Sequence, residues 1–152
     1  MDFKAILVAT DFSECAGAAF RMAKNLAQRF GAKVVLLHVI QQSMVVGVAE
    51  HLKLQPESLL PEFREEAQRQ LAAFLNEHGR GSLDVTSMVA TGIPFQEIAV
   101  IARDLAADLI VIGGYGRSGR GPIEEVFFGS TAEKVVRLLP CPVLCVPFES
   151  EQ

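Results

Sequence analysis

Short, uninterrupted apolar runs separated by longer segments of helical periodicity constrain this chain more than any other feature. The clearest runs are FKAILVA at 3–9, KVVLLHVI at 33–40 and DLIVI at 108–112. Strands that are covered on both faces read as continuous apolar runs, whereas half-exposed strands alternate apolar and polar residues. The sequence therefore predicts parallel strands that are buried in the middle of an α/β fold.

The segments between these runs complete the predicted element order. Three of them carry apolar residues at the helical spacings of three and four, namely Ser13–Phe30, Leu59–His78 and Pro94–Leu105. A third strand, nearer an edge, is expected at 83–90, and a last helix from 128 or 129 to 139 precedes a fifth strand at 143–146. Residues 41–56 show little periodicity and are predicted to form a long, mobile loop.

This alternation of strands and helices predicts a single α/β domain over residues 1–152, with its core at about 3–148. We expect an open five-stranded parallel sheet with helices on both faces and right-handed crossovers. Half of the residues are hydrophobic, which is enough to build a core and argues against a disordered chain.

Charge and composition exclude several classes of partner. The chain has 14 basic and 18 acidic residues and a net charge of -4, which disfavours broad contact with nucleic acid. No apolar run approaches the roughly 20 residues of a membrane-spanning helix, and the N-terminus does not read as a signal peptide.

Cys141 and Cys145 lie four apart on a predicted strand, roughly 13 Å from each other, so they cannot form a disulfide within that strand. Thiols are thus expected, in a reducing compartment such as the cytoplasm.

A glycine-dense segment follows the fourth predicted strand. It runs from Gly113 to Gly121, and Gly129, Ser130 and Thr131 then begin the last helix. Glycine lets backbone N–H groups approach an anion closely, and a helix N-terminus with hydroxyl side chains favours phosphate. The segment therefore indicates a phosphate-bearing ligand, although no Walker A motif occurs. The alternative is a flexible turn in which Ser130 only caps the helix.

Five segments in this order resemble the universal stress protein family. They are ILVATDFSECA, VVLLHVI, TGIPFQEI, DLIVIGGYGRSG and GSTAEKVVRLLPCPVLCV, and together they cover about residues 3–148. The resemblance implies an adenine nucleotide alpha-hydrolase-like fold with strand order 3-2-1-4-5. It also implies a cytoplasmic homodimer that acts in stress response or signalling and binds ATP, or else ADP or AMP, with Mg²⁺ as a candidate companion of the phosphates.

The resemblance also assigns site residues. Asp11 matches the acid that contacts the ribose or adenine, Ala9 would line the base pocket, and Val39 would read the adenine edge through its backbone. The remaining cofactor-binding residues at and after the fourth strand are Ile112, Gly113, Gly116, Arg117, Ser118, Gly119, Gly129, Ser130 and Thr131. For Asp11 the alternative is an N-cap or an Asx turn before the helix.

The glycine segment departs from the family pattern. Twelve residues separate Gly116 from Gly129, where the family usually has nine. The difference is a three-residue insertion around Gly119 to Glu125. In this stretch the carboxylates of Glu124 and Glu125 could repel a triphosphate, while the positive charges of Arg117 and Arg120 could offset that repulsion. The insertion therefore leaves open a nucleotide-free dimeric interaction module as an alternative to nucleotide binding. A slow ATPase of the same fold is the alternative to a non-catalytic role.

Two further expectations concern single features. His38 lies on a strand expected to be buried, so it is predicted to be a hydrogen-bonded core histidine rather than a catalytic base. The last strand is apolar and falls at the sheet edge in the family order, where an uncovered strand tends to pair. We therefore expect a homodimer through residues 142–148, with side-chain packing by Val143 and Val146.

Overall fold

Five parallel strands form one sheet in the order β3-β2-β1-β4-β5, as the sequence predicts. The computed structural model describes residues 2–79, 84–114, 130–138 and 140–147. The strands are β1 Ala5–Ala9, β2 Lys33–Gln41, β3 Val85–Gly92, β4 Leu109–Gly113 and β5 Val143–Val146. All four pairings are parallel, so β3 and β5 form the two edges of this sheet.

Helices cover both faces of the sheet and divide the core into two layers. The helices are α1 Glu14–Phe30, α2 Gln42–Leu52, α3 Pro56–His78, α4 Pro94–Asp104 and α5 Ser130–Leu138. On one face, Phe20 of α1 and Phe74 of α3 pack with Val8 and Val111. On the other face, α4 and α5 cover the alternate residues of the same strands. The period of two along a strand sends neighbouring side chains into different layers.

The ends of α1 are fixed by two local signals. Ser13 is the N-cap, and its hydroxyl accepts a hydrogen bond from the N–H of Ala16 at 3.2 Å. Gly31 ends the helix at φ 66°, a left-handed conformation that glycine adopts without steric cost. The helix therefore begins immediately after the loop that follows β1, and this position brings its first turn close to the ends of the strands.

The prediction of a long loop at 41–56 is wrong. Residues Gln42–Leu52 form α2, and α3 begins at Pro56 rather than at Leu59. Val45 and Ala49 are the buried residues of α2, one helical turn apart, and they pack in a small cluster with Leu59 and Ala67 of α3. Gln41 provides no side-chain cap and Gly47 lies inside the helix, so the usual sequence signals are weak. Tertiary packing supplies the stability that local propensity lacks.

Candidate functional site

A cleft opens where β1 is shorter than its neighbour β2. The last register pair between these strands is Ala9 with Leu37, and the N–H of Thr10 then donates to the carbonyl of Leu37 at 2.9 Å. β2 continues to Gln41 and stays paired with β3 on its other side. The strand order reverses between β1 and β4, and open α/β sheets bind ligands at this kind of switch point.

The backbone of Val39 faces this cleft. In a parallel ladder the N–H and C=O of one residue point to the same side, and successive residues alternate sides. Lys33 and Leu37 bond toward β1, whereas Val34 bonds toward β3. Val39 therefore presents its N–H and C=O toward the β1 side, two residues beyond the end of the β1 ladder. Main-chain N–H and C=O groups in this position can form hydrogen bonds with the edge of a nucleotide base.

The cleft leads into a cavity of about 540 Å³, a size within the range of small-molecule sites. Its described lining combines strand ends with residues of all five helices: Ala9, Thr10, Asp11, Ala16, Leu37, His38, Val39, Ile40, Gln41, Met44, Phe63, Glu66, Ala67, Gln70, Pro94, Ile98, Ile112, Gly113, Thr131 and Ala132. Both core layers thus contribute to its walls.

Six of the residues that the sequence singles out are brought together in this lining: Ala9, Asp11, Val39, Ile112, Gly113 and Thr131. The predicted residues Gly116, Arg117, Ser118, Gly119 and Gly129 lie outside the described residues. Ser130 is the first residue of α5, and its side chain likewise lies outside the described part.

Asp11 has a structural contact as well as a place in the cavity wall. Its Oδ1 accepts a hydrogen bond from the N–H of Ser13 at 3.0 Å, which is an Asx turn. The N-cap of α1 is Ser13, so Asp11 does not cap the helix. The Asx turn uses one carboxylate oxygen, and the half-buried side chain lines the cavity, so the structural and the ligand-binding interpretations are compatible.

His38 is also part of the wall, which the sequence analysis did not anticipate. Its Nδ1 lies 2.8 Å from the carbonyl oxygen of Thr10, and because a carbonyl only accepts, the ring nitrogen is the donor. The ring stacks on Phe12 with centroids 4.4 Å apart. His38 is hydrogen-bonded, in agreement with the expectation, but it is half-buried at the cavity rather than enclosed in the core.

Gly113 has a packing role that is independent of any ligand. A Cβ at this position would lie 2.9 Å from Sγ of Cys15 and 3.0 Å from the backbone carbon and oxygen of the same residue. The first turn of α1 therefore approaches the end of β4 so closely that only glycine fits without a shift. The three cysteines remain thiols, with Cys15 buried and Cys141 and Cys145 half-buried.

The charge of the described wall is negative. Asp11 and Glu66 contribute carboxylates, and the described lining contains no Lys or Arg. Such a wall suits groups that donate hydrogen bonds, such as hydroxyl and amino groups, better than it suits phosphate. Within the described residues, helix N-termini favour an anion, and those of α4 at Pro94 and of α5 at Thr131 reach the cavity wall. The wall thus fits a base and a ribose, and the start of α5 fits a phosphate.

The face of α3 that closes the cavity was missed by the sequence analysis. Phe63, Glu66 and Gln70 lie at spacings of three and four and therefore share one helix face. Their pattern is that of an ordinary amphipathic surface, and Glu66 also pairs with Arg69 at 2.9 Å. Only the docking of α3 against the sheet reveals this face as a wall of the site.

The described residues contain neither a cluster of metal ligands nor a membrane-spanning helix. No three or more His, Cys, Asp or Glu side chains lie together in a way that could hold a metal ion. None of the described helices is both long enough and apolar enough to cross a membrane.

An open parallel sheet in the order 3-2-1-4-5, with a cleft at its switch point, defines the class of adenine nucleotide alpha-hydrolase-like folds. Within that class, the chain belongs to the universal stress protein family, whose family model matches residues 2–147.

Individual relatives agree with this assignment. The chain is 34% identical over 145 residues to the universal stress protein MJ0531 of Methanocaldococcus jannaschii, covering 95% of this chain and 82% of the relative. The solved structure of MJ0577, from the same organism, matches with a TM-score of 0.82 at 30% identity, covering 99% of this chain and all of that one. UspA from Lactobacillus plantarum matches with a TM-score of 0.71 at 28% identity, covering 96% of this chain and 99% of that one.

Proposed function

We propose that this chain binds an adenine nucleotide, with ATP as the first candidate, in the cleft between the ends of β1 and β4. The observation that carries the proposal is the overhang of β2 beyond β1, which presents the backbone of Val39 to the same cavity that Asp11 lines. The base would meet the backbone of Val39, and Asp11 would accept hydrogen bonds from ribose hydroxyls. The phosphates would lie toward Gly113 and the N-terminus of α5.

The family assignment supports a role in stress response or signalling, exercised through nucleotide occupancy rather than through a chemical step. Two solved structures with this fold are complexes with cAMP and with dAMP, at 21% and 23% identity. At that identity they bear on the fold alone, and it is the geometry of the cleft that supports the ligand. A cytoplasmic location and a homodimer through residues 142–148 belong to the same proposal. Mg²⁺ would enter, if at all, with the phosphates of the nucleotide.

Titration calorimetry with ATP, ADP, AMP and cAMP, each with and without Mg²⁺, tests the proposal. Binding of ATP with 1:1 stoichiometry per chain is the expected result. A dependence of affinity on phosphate number would show that the phosphates contribute to binding. Absence of heat with every nucleotide at millimolar concentration would contradict nucleotide binding.

A pair of substitutions at Asp11 separates its two roles. Asp11→Asn keeps an oxygen that can accept from the N–H of Ser13 and so preserves the Asx turn, while Asp11→Ala removes it. We expect the Asn variant to melt like the wild type and to lose about 1–3 kcal/mol of nucleotide binding free energy, because a charged acceptor is lost. The Ala variant should also melt at a lower temperature. Undiminished affinity in both variants would place the ligand elsewhere.

A second candidate function, a nucleotide-free interaction module, is favoured by two observations. The described lining includes Asp11 and Glu66 but no Lys or Arg, and the Arg69 that pairs with Glu66 is not part of it. Gly113 is required by packing against Cys15 whether or not phosphate binds. Calorimetry without heat, combined with a stable dimer in solution, would support this function over the first.

A further inference from the structure

His78, the last residue of α3, lies in a slot between α3 and the first turns of α1. Its Nδ1 is 2.9 Å from Nη1 of Arg21 on α1, and its ring lies against Phe74 with centroids 4.6 Å apart. The side chain is only 13% exposed. An imidazole held between two helices in this way contributes to the angle at which they dock.

The slot has room for the ring because α1 carries Gly17, which has no side chain, where the ring approaches the helix. A Cβ on Gly17 would lie 2.8 Å from both Cε1 and Nε2 of His78. Glycine is unfavourable by roughly 0.5–1 kcal/mol in a helix interior, so its presence inside α1 needs a packing reason, and the ring supplies it. The ring of His78 thus adds one specific contact to the apolar packing of Phe20 and Phe74 between the two helices.

The hydrogen bond with Arg21 requires a neutral imidazole. A guanidinium only donates, so Nδ1 of His78 must accept and the ring proton must reside on Nε2. A second proton on Nδ1 would bring two donors and two positive charges face to face.

Among the described residues, the charged groups that act on the ring are Arg21 from α1 and Glu77 from α3 itself. Burial, the largest effect, lowers the pKa of His78 below 6.5. Glu77, whose Oε2 lies 3.7 Å from Nε2, raises this pKa, but the Glu77 side chain is 76% exposed and its charge is screened by solvent. Arg21 lowers it further.

Aromatic contacts connect the slot with the candidate site. Phe74 packs edge-on against Phe12 with centroids 6.1 Å apart, and Phe12 directly follows Asp11 and stacks on His38. The same helix α3 carries Phe63, Glu66 and Gln70 on the cavity wall. The orientation of α3 on α1 therefore affects both the wall and the loop that carries Asp11.

We propose that neutral His78 is a positioning residue that holds α3 on α1, and that its protonation in acid releases the end of α3 and loosens the α3 wall of the nucleotide site. The ligand-binding part of this inference rests on the proposed function, whereas the pH-sensitive docking of α3 does not.

The docking is tested without ligand by comparing His78→Gln with the wild type. Glutamine offers an oxygen to Arg21 and does not titrate. Because the folded-state pKa of His78 is lowered, its contribution to stability is complete above the unfolded value of 6.5 and is lost as the pH falls toward the folded value. We expect the wild-type Tm to fall by about 2–4 °C more than that of the variant between about pH 7.5 and 5.5. His51→Gln, at an exposed histidine of α2, is the matched control and should behave like the wild type.

An NMR titration of the imidazole signals provides a measurement that does not depend on how the variant folds. His78 should titrate below 6.5. A value at or above 6.5, or an equal pH dependence of Tm in wild type and His78→Gln, would overturn the inference.

The ligand-binding part is tested by measuring the Kd for ATP at both pH values in the wild type and in His78→Gln. Acid should weaken binding by about fivefold more in the wild type, and protonation of the nucleotide itself cancels in this comparison. An equal loss in both proteins would contradict coupling to the site. Absence of binding at neutral pH would contradict the proposed function instead and leave the docking test intact.

Discussion

Gly113 illustrates how one residue can satisfy a motif and a packing constraint together. It matches the first glycine of the family pattern, and the motif interpretation places it near phosphate. The structure adds an independent requirement, since the backbone of Cys15 leaves no space for a Cβ. A glycine at this position is therefore not by itself an indication of nucleotide binding, whereas the overhang of β2 and the position of Asp11 do not follow from packing.

Gly113→Ala should reduce the free energy of unfolding by about 1–3 kcal/mol, because the new methyl group meets backbone atoms that cannot rotate away. Urea unfolding monitored by circular dichroism would measure the change. Gly47→Ala is the control: no heavy atom lies within 4 Å of its added Cβ, and alanine in a helix interior should be more stable by about 0.5–1 kcal/mol. Equal stability of Gly113→Ala and wild type would mean that α1 shifts easily.

At the scale of elements, prediction from sequence succeeded where strands are covered on both sides. The continuous apolar runs of β1, β2 and β4 identify them directly, since each strand has neighbours on both edges and helices on both faces. α2 was missed because its two buried residues, Val45 and Ala49, give too short a pattern. The α3 wall of the site was missed for a different reason, because the docking angle of a helix is not encoded in its own periodicity.

β5 combines an edge position with incomplete burial. Ile110 and Gly114 donate to the carbonyls of Pro142 and Val146, so alternation turns the N–H and C=O of Val143 and Cys145 toward the open edge. Val143, Leu144 and Cys145 are half-buried. Val146 is only 6% exposed because it packs in the core of its own chain, so it is not available for packing across an interface. Of the two residues expected to pack in a dimer, Val143 and Val146, only Val143 remains. The predicted dimer would therefore use the outward main-chain groups.

Cys145→Pro should convert the proposed dimer to a monomer. Proline removes the outward N–H of residue 145 and leaves the ladder with β4 intact, as proline does on natural edge strands. Cys145→Ala keeps that N–H and controls for loss of the thiol. Light scattering should give about twice 16.5 kDa for wild type and Cys145→Ala, and about 16.5 kDa for Cys145→Pro. A wild-type monomer at tens of micromolar would argue against pairing through β5.

At the scale of the whole molecule, a ligand in this cavity would contact both core layers. Ala9, Val39 and Ile112 belong to the layer covered by α4 and α5, whereas Thr10 and His38 lie on alternate positions that face the α1 and α3 side. Unfolding of either layer would then require release of the ligand. Ligand binding should therefore stabilise the chain as a unit rather than locally.

ATP at about one hundred times its Kd should add about 2.7 kcal/mol to the free energy of unfolding and raise the Tm by about 5–10 °C for a chain of this size. Differential scanning calorimetry would detect a single transition that moves as a whole. The same ATP concentration should stabilise Asp11→Ala less, by about 0.3–1.8 kcal/mol, if its binding is weaker by about 1–3 kcal/mol. A shift of equal size in that variant would indicate binding outside the cleft.

The unequal lengths of β1 and β2 also bear on how such a site changes in evolution. The main-chain groups of Val39 are open to the cleft because β2 extends beyond β1, whatever side chains line the walls. Two residues inserted after Ala9 as added strand would lengthen β1 by about 7 Å and bring its main chain opposite Val39. The N–H and C=O groups of Val39 that now face the cleft would then form hydrogen bonds within the sheet. A homologue could in this way lose its ligand while keeping every residue of the wall, so the length of the segment after β1 is as informative about ligand binding as the residues themselves.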